Sequence, residues 1–225
     1  LARWLRFAAA DPGVRGLRRW LAEPRPDVVH VNCLPHLRGA AVAQRLGLPV
    51  CWHLHEILPE GVRRRWLAGR LRRHARRVVA VSEAVASWLR DEGLGERLRV
   101  VYNGVAPAEP PDRDAARAAE GISGNRPVVG FVGQLMPHKG ASDLVAAVHR
   151  MAADGMEVEA IVVGGGPEPV RRRLHDAVAS GPAAGRMRVL PPRTEVGRLL
   201  AALDVVAVPS RWPDPLPRVV MEAMA

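Results

Sequence analysis

The segment VVAVPSRWPDPLPRVVMEAMA (205–225) holds two carboxylates, Asp214 and Glu222, eight positions apart on either side of a proline-rich turn. The spacing predicts a buried strand ending at Pro209-Ser210, a loop, and a helix opening near Pro217. Proline suits the first helical position, because an N–H there would have no intrahelical partner. The free N–H groups of Arg218 and Val219 would then point outward with the positive end of the helix, which favours an anion. An ionised carboxylate only accepts hydrogen bonds and a hydroxyl donates them, so Asp214 and Glu222 could grip sugar or ribose hydroxyls beside a bound phosphate. Taken singly, the two acids read first as structural, a capping aspartate and a solvated helical glutamate.

Other positions have the right chemistry. Lys139 is the only lysine among 33 basic residues and stands where a helix opens, a place mildly unfavourable to a cation. Gly164–Gly166 form a turn between a strand and a helix, suited either to phosphate approach or to tight packing alone. His53 and His55 alternate along PVCWHLHEI (49–57) and share one face of a strand. With His30 they match no strong metal-ligand spacing, so no metal site is expected.

These residues need a scaffold, and the pattern supplies one. Valine-rich runs at 27–32, 50–55, 77–81, 98–102, 128–132, 160–163, 187–190 and 205–208 alternate with helical periodicity. The runs at 35–46, 61–76 and 83–92 read as helices, as does the segment 1–23, with Val14, Leu17 and Leu21 on one face. Leu144, Val145, Val148 and Met151 mark the inner face of one later helix, and Val170, Leu174 and Val178 that of the next. The prediction is α/β, with parallel sheets covered on both sides. The stretch 103–127, rich in Pro, Gly and Ala, divides the chain into domains 1–107 and 108–225. Ligands in such sheets bind beyond the carboxyl ends of the strands.

Composition narrows the partners. The formal charge is +10, yet almost every basic residue is arginine amid abundant Ala, Val, Gly and Pro. A coding bias of that kind raises charge without selecting a polyanion, so no nucleic-acid partner is expected. No apolar run approaches the ~20 residues of a spanning helix. Cys33 and Cys51 form no disulfide or metal framework, and a reducing cytoplasmic setting is expected. Arg63–Arg77 is a basic helix interleaved with Trp66, Leu67 and Leu71. It is either a peripheral contact with an anionic membrane or a solvated arginine face.

The segment Asp214-x7-Glu222 followed by Ala-Met-Ala resembles the E-x7-E signature of glycosyltransferase family 4, the retaining enzymes of GT-B fold related to glycogen synthases and mannosyltransferases. VVGFVGQLMPHKG (128–140), VVGGGPE (162–168), VVAVSEAV (78–85) and VVYNGV (100–105) are similar to other landmarks of that family, in the same order. The resemblance covers roughly 27–225. It implies a GT-B-like fold of two Rossmann-like domains with parallel sheets facing across a cleft. The first domain would be the acceptor side and the second the nucleotide-sugar donor side. Both are expected to be incomplete here, lacking the family's opening strand and glycine-rich loop and the segments after Ala225.

The resemblance also implies roles. Lys139 would contact the donor pyrophosphate, aided by the glycine turns at Gly133 and Gly164. Glu222 would bind the ribose, Asp214 would lie near the transferred sugar, and Leu216, Arg218 and Val219 would supply amides, since Pro217 replaces a glycine and cannot donate. Gln134 stands where the family usually has arginine. Arg193 is a weaker candidate for the nucleotide side. His55 would face the donor sugar, with His53 as competitor. The implied reaction is metal-independent retaining transfer from a nucleoside-diphosphate sugar to a hydroxyl acceptor of unidentified kind. The alternative is a non-catalytic glycosyltransferase-like chain that binds nucleotide or a partner.

Overall fold

The computed structural model describes residues 12–23, 25–34, 37–106 and 112–225, and divides the chain into two compact units, Leu1–Asn103 and Gly104–Ala225. The expected helix before residue 12 lies outside the described residues. Within the described part of that segment, Leu21 is buried in helix α1 (Pro12–Ala22).

The first unit holds strands β1 (Val29–Asn32), β2 (Val50–Leu54), β3 (Arg77–Ala80) and β4 (Leu98–Val100), all parallel and in the order β1-β2-β3-β4. Helices α2 (Leu37–Arg45), α3 (Val62–His74) and α4 (Glu83–Asp91) make the crossovers. Helix α4 starts cleanly because the Ser82 hydroxyl accepts from the Val85 N–H at 3.3 Å. Along β2 the side chains alternate, with Val50, Trp52 and Leu54 buried and Cys51 and His53 half-buried on the other face. That period of two is what places His53 of this strand and His55 just after it on one side.

The second unit begins with helix α5 (Arg113–Ala119), which falls inside the Pro/Gly/Ala-rich stretch. Its sheet comprises β5 (Val128–Val132), β6 (Glu159–Val163), β7 (Met187–Leu190) and β8 (Val205–Val206), parallel and in the order β7-β6-β5-β8. Helices α6 (Ala141–Ala153), α7 (Glu168–Ala179), α8 (Gly197–Ala202) and α9 (Arg218–Met224) complete it. Both faces are covered. Ala160 and Val162 of β6 pack with Leu144, Val145, Val148 and Leu174, while Ile161 and Val163 pack with Ala116, Val128, Leu199 and Leu203. Gly130 lets Leu203 of this second layer pack directly on the sheet, since a Cβ there would lie 2.0 Å from Leu203 Cδ1.

Two expectations need correction. The strand read over 205–208 is ordered as strand only at Val205–Val206 and pairs with β5, and Val205 is exposed rather than buried. Hydrophobic content marked the strand, but among the described residues it is an edge, where one flank lacks a partner. Pro217 is the N-cap of α9 and not its first helical residue, because its ψ of 115° is extended and the helix starts at Arg218.

The order in which strands are added reverses at β5. From β5 the order runs outward through β6 and β7, whereas β8 returns to the opposite side of β5. The loops leaving the carboxyl ends of β5 and β8 thus flank this switch point, the place where sheets of this kind bind ligands.

Candidate functional site

The loop after β5 runs Gly133-Gln134-Leu135-Met136 into a tight 3₁₀ turn, Pro137–Lys139, and then Gly140 at the start of α6. Gly140 has φ of 75°, and a Cβ there would lie 1.9 Å from the Pro209 carbonyl oxygen, so only glycine lets the β8 loop come this close. The β6 loop closes in from the other side. The Gly133 N–H donates to the Val163 carbonyl at 3.0 Å and the Leu135 N–H to the Gly165 carbonyl at 2.8 Å. A Cβ on Gly164 would lie 1.8 Å from the Gly133 oxygen. The Gly164–Gly166 turn is thus a packing device that holds the β5 loop in place.

The β8 loop is pinned onto the same turn at several points. The Arg211 N–H donates to the His138 carbonyl at 2.8 Å, and its guanidinium grips Asp143 at 2.7 and 2.5 Å. This Arg211 pairing holds the Asp143 carboxyl below its usual range. The Trp212 indole stacks on the His138 ring at 5.3 Å. In the middle, Lys139 Nζ meets Asp214 Oδ2 at 2.6 Å, with 32% and 16% of the two side chains exposed. Residues 75 positions apart are brought into one partly desolvated charge pair. The lower local dielectric strengthens the attraction between the two charges, while the desolvation of both opposes it.

The nucleotide-side candidates fall elsewhere in this unit. Glu222 Oε1 accepts from Arg218 Nε at 2.7 Å, one turn earlier on α9. Arg193 pairs with the buried carboxylate of Glu120. Glu222 and Arg193 both line a cavity of about 840 Å³, with Thr194 and Leu199 also on its wall. Lys139 and Asp214 are not among its lining residues. Gln134 is exposed beside the half-buried Gly133, and Leu216 and Val219 are half-buried on either side of the start of α9.

The first unit has its own polar cluster at the carboxyl ends of β1 and β2. His55 Nε2 lies 2.7 Å from Asn32 Oδ1. His53 is sandwiched, 4.5 Å from the His55 ring and 5.4 Å from that of His30. Burial, then the neighbouring His55 and His30, lower the His53 pKa, and its buried Nε2 has no hydrogen-bond partner among the described residues. Glu56 ties the loops together: its Oε1 accepts from the Leu34 N–H and its Oε2 from the His55 N–H, both at 3.1 Å, while its carbonyl accepts from the Trp88 indole N–H at 3.1 Å. Among the described residues no group of three or more His, Cys, Asp or Glu is arranged to hold a metal.

Asn32, Glu56, Asp143 and Arg211 were not singled out from the sequence. The Asp143–Arg211 pair spans 68 positions and leaves no local trace. Glu56 could have been found as the acid directly after the strand histidine, and Asn32 as the polar end of an apolar strand.

Residues 3–109 match the family model of Glycosyltransferase Family 4, and residues 126–225 match that of Glycosyl transferases group 1. Over 160 residues, 63% of the chain, it is 33% identical to the alpha-maltose-1-phosphate synthase of Mycolicibacterium smegmatis. Over 211 residues, 83% of the chain, it is 31% identical to the 2-deoxystreptamine N-acetyl-D-glucosaminyltransferase of Streptomyces fradiae. The chain spans 40% and 50% of the length of these two relatives. Among solved structures, Anabaena HepE in complex with UDP and glucose superposes with a TM-score of 0.81 at 29% identity, over 95% of this chain and 60% of that one. With one glycosyltransferase model on each half and this structural likeness, the chain belongs to the family-4 type of glycosyltransferases, of GT-B fold.

Proposed function

We propose that this chain carries the donor machinery of a retaining glycosyltransferase that moves a sugar from a nucleoside-diphosphate sugar to a hydroxyl acceptor. The observation that carries the reading is the Lys139–Asp214 pair, set by three interlocking loops at the crevice beside β5 and β8. The HepE structures, with UDP and glucose or with UDP-glucose, support a uridine donor.

In this reading the donor diphosphate takes Lys139 from Asp214, which frees the carboxylate to accept from a sugar hydroxyl. As the anomeric bond breaks, charge grows on the departing diphosphate, and the fixed ammonium of Lys139 stabilises it, with amides near the start of α9. Glu222 accepts from the ribose hydroxyls, in place of Arg218, within the cavity it shares with Arg193. His55 contacts the sugar from the first unit. The acceptor hydroxyl then attacks the anomeric carbon from the face that the nucleotide leaves, and its proton passes to the departing diphosphate oxygen. Because cationic and amide groups of the protein meet the diphosphate charge, the step needs no metal.

The test is ¹H NMR of UDP-glucose hydrolysis, with water standing in for the acceptor, in the presence and absence of EDTA. The expected first product is α-glucose, formed at the same rate with and without chelator. Initial release of β-glucose would rule out retention. Activity lost to EDTA and restored by Mg²⁺ or Mn²⁺ would rule out metal independence.

A second reading concerns α3. Its inner face buries Leu67, Ala68 and Leu71, and Arg64 is tied down by Asp91 at 3.1 Å and Glu92 at 3.0 Å. Arg72 donates to the Glu92 carbonyl, Arg70 is half-buried, and Arg63, Arg65 and Arg73 are exposed. Arg65, Arg70, Arg73 and His74 surround a notch of about 310 Å³ over Gly69, with Arg70 lying 5.7 Å from the Trp66 ring centroid. Basic groups around an indole suit the phosphates of an anionic bilayer surface, and each arginine near such a surface contributes about 1 kcal/mol. Changing Arg65, Arg70 and Arg73 together to glutamine is therefore expected to weaken sedimentation with phosphatidylglycerol vesicles roughly a hundredfold. Equal binding to neutral vesicles, or no loss in the triple variant, would leave α3 a solvated face.

A further inference from the structure

We infer that Asn32 is a positioning residue that fixes the tautomer and direction of the His55 ring, leaving Nδ1 as the nitrogen offered to a sugar hydroxyl. This rests on the proposed role of His55 and adds a residue to it.

The argument begins with the two atoms. Asn32 Oδ1 is an acceptor only, so at 2.7 Å from His55 Nε2 it requires the ring proton to sit on Nε2. In the neutral ring Nδ1 then has no proton, and it can only accept. A histidine left to itself exchanges between its two tautomers and rotates about its side-chain torsions. Here the backbone is held as well. The Glu56 carboxylate receives the His55 N–H with one oxygen and the Leu34 N–H with the other, which joins the ends of the β1 and β2 loops. The Trp88 indole holds Glu56 through its carbonyl. The register of the sheet brings the pair together: Asn32 lies opposite His53, two residues before His55, so a side chain at the end of β1 reaches across to the residue just after β2.

The rings around it are close. His53 stands 4.5 Å from the His55 ring and 5.4 Å from that of His30, and its own pKa is lowered, first by burial and then by those two rings. Glu56 faces the His55 backbone N–H. With Nε2 donating to Asn32, the neutral ring presents Nδ1 as a hydrogen-bond acceptor of defined orientation, the complement of a sugar hydroxyl, which donates. Asn32 is exposed at the end of its strand, so replacing it removes the hydrogen bond without opening a cavity in the core.

The test uses the whole chain, ¹⁵N-labelled at histidine, with the His55 signals assigned by their loss in His55→Ala. In the wild-type spectrum Nε2 is expected at the shift of a protonated nitrogen and Nδ1 at that of an unprotonated one. In Asn32→Leu, which keeps the side-chain shape and loses the acceptor, the two are expected to move toward the averaged shifts of exchanging tautomers. Calorimetry with UDP-glucose and with UDP gives the functional arm. Asn32→Leu is expected to lose roughly tenfold in affinity for UDP-glucose, the scale of one displaced hydrogen bond, and nothing for UDP. In the double variant with His55→Ala it adds no further loss.

Unchanged ¹⁵N shifts in Asn32→Leu would overturn the tautomer assignment. Changed shifts with intact UDP-glucose affinity, while His55→Ala loses that affinity, would overturn the positioning role alone. If His55→Ala itself binds UDP-glucose like the wild type, the sugar-facing role of His55 fails, whatever the tautomer result.

Discussion

Lys139→Ala is expected to lower the rate of UDP-glucose hydrolysis roughly 10²–10³-fold, the scale seen when one fixed group that stabilises transition-state charge is removed. The size follows from where the ammonium sits. It is only 32% exposed, on a 3₁₀ turn fixed by the Gly140–Pro209 approach and the Arg211–His138 hydrogen bond, so water cannot readily replace it. Removal also leaves Asp214, 16% exposed, without its cation. That costs some stability, and the thermal midpoint is expected to fall by no more than about 5 °C. Lys139→Arg separates charge from geometry. A planar fork on a longer stem does not reproduce a compact ammonium at 2.6 Å from Asp214, so it is expected to recover only part of the rate. A folded Lys139→Ala protein that turns over within twofold of wild type would remove the lysine from the mechanism.

Gly164→Val is expected to cost about 3 kcal/mol of stability, at the upper end of what overpacking does. It is also expected to reduce nucleotide affinity beyond what the loss of folded protein explains. The Cβ alone would stand 1.8 Å from the Gly133 carbonyl oxygen, a backbone atom with no rotamer to yield. Relief requires the β5 and β6 loops to separate, which breaks the Leu135–Gly165 hydrogen bond and shifts the turn that presents Lys139. Displacements near 1 Å at such a turn can cost about a hundredfold in function. Gly197→Ala is the control. It has open space around its Cβ and starts α8, so it should be neutral or slightly stabilising. Denaturant unfolding of both variants settles the comparison. A Gly164→Val protein as stable as Gly197→Ala would show that these loops are not packed as described.

How much of this was legible beforehand differs between the scaffold and the site. The strands of the second unit were readable because β5 and β6 are buried on both faces, so their valines form unbroken apolar runs bounded by glycine. The helices α6 and α7 declared themselves through Leu144, Val145, Val148 and Leu174, all of which point into the core. The last strand was overextended because hydrophobicity alone does not distinguish an edge from an interior strand.

In the site, Lys139 and Asp214 could each be marked from residue type and resemblance. Their mutual contact could not, since it depends on β8 returning beside β5, a crossover that no local pattern encodes. The same holds for Asn32 and His55, joined by parallel register across 23 positions. Gly164 was read with phosphate approach and packing both open. The 1.8 Å approach to Gly133 gives it a packing role and leaves a contribution to phosphate binding as a proposal.

The account turns on whether the second unit holds a nucleoside diphosphate at the residues named. Isothermal titration of the folded chain with UDP, GDP and ADP, alongside Lys139→Ala and Glu222→Ala, measures this directly. The prediction is saturable binding of one diphosphate, UDP, weakened at least about tenfold in each variant, as expected when a charge-assisted contact is lost. No saturable binding to the folded wild-type chain, or wild-type affinity retained in either variant, would contradict the account.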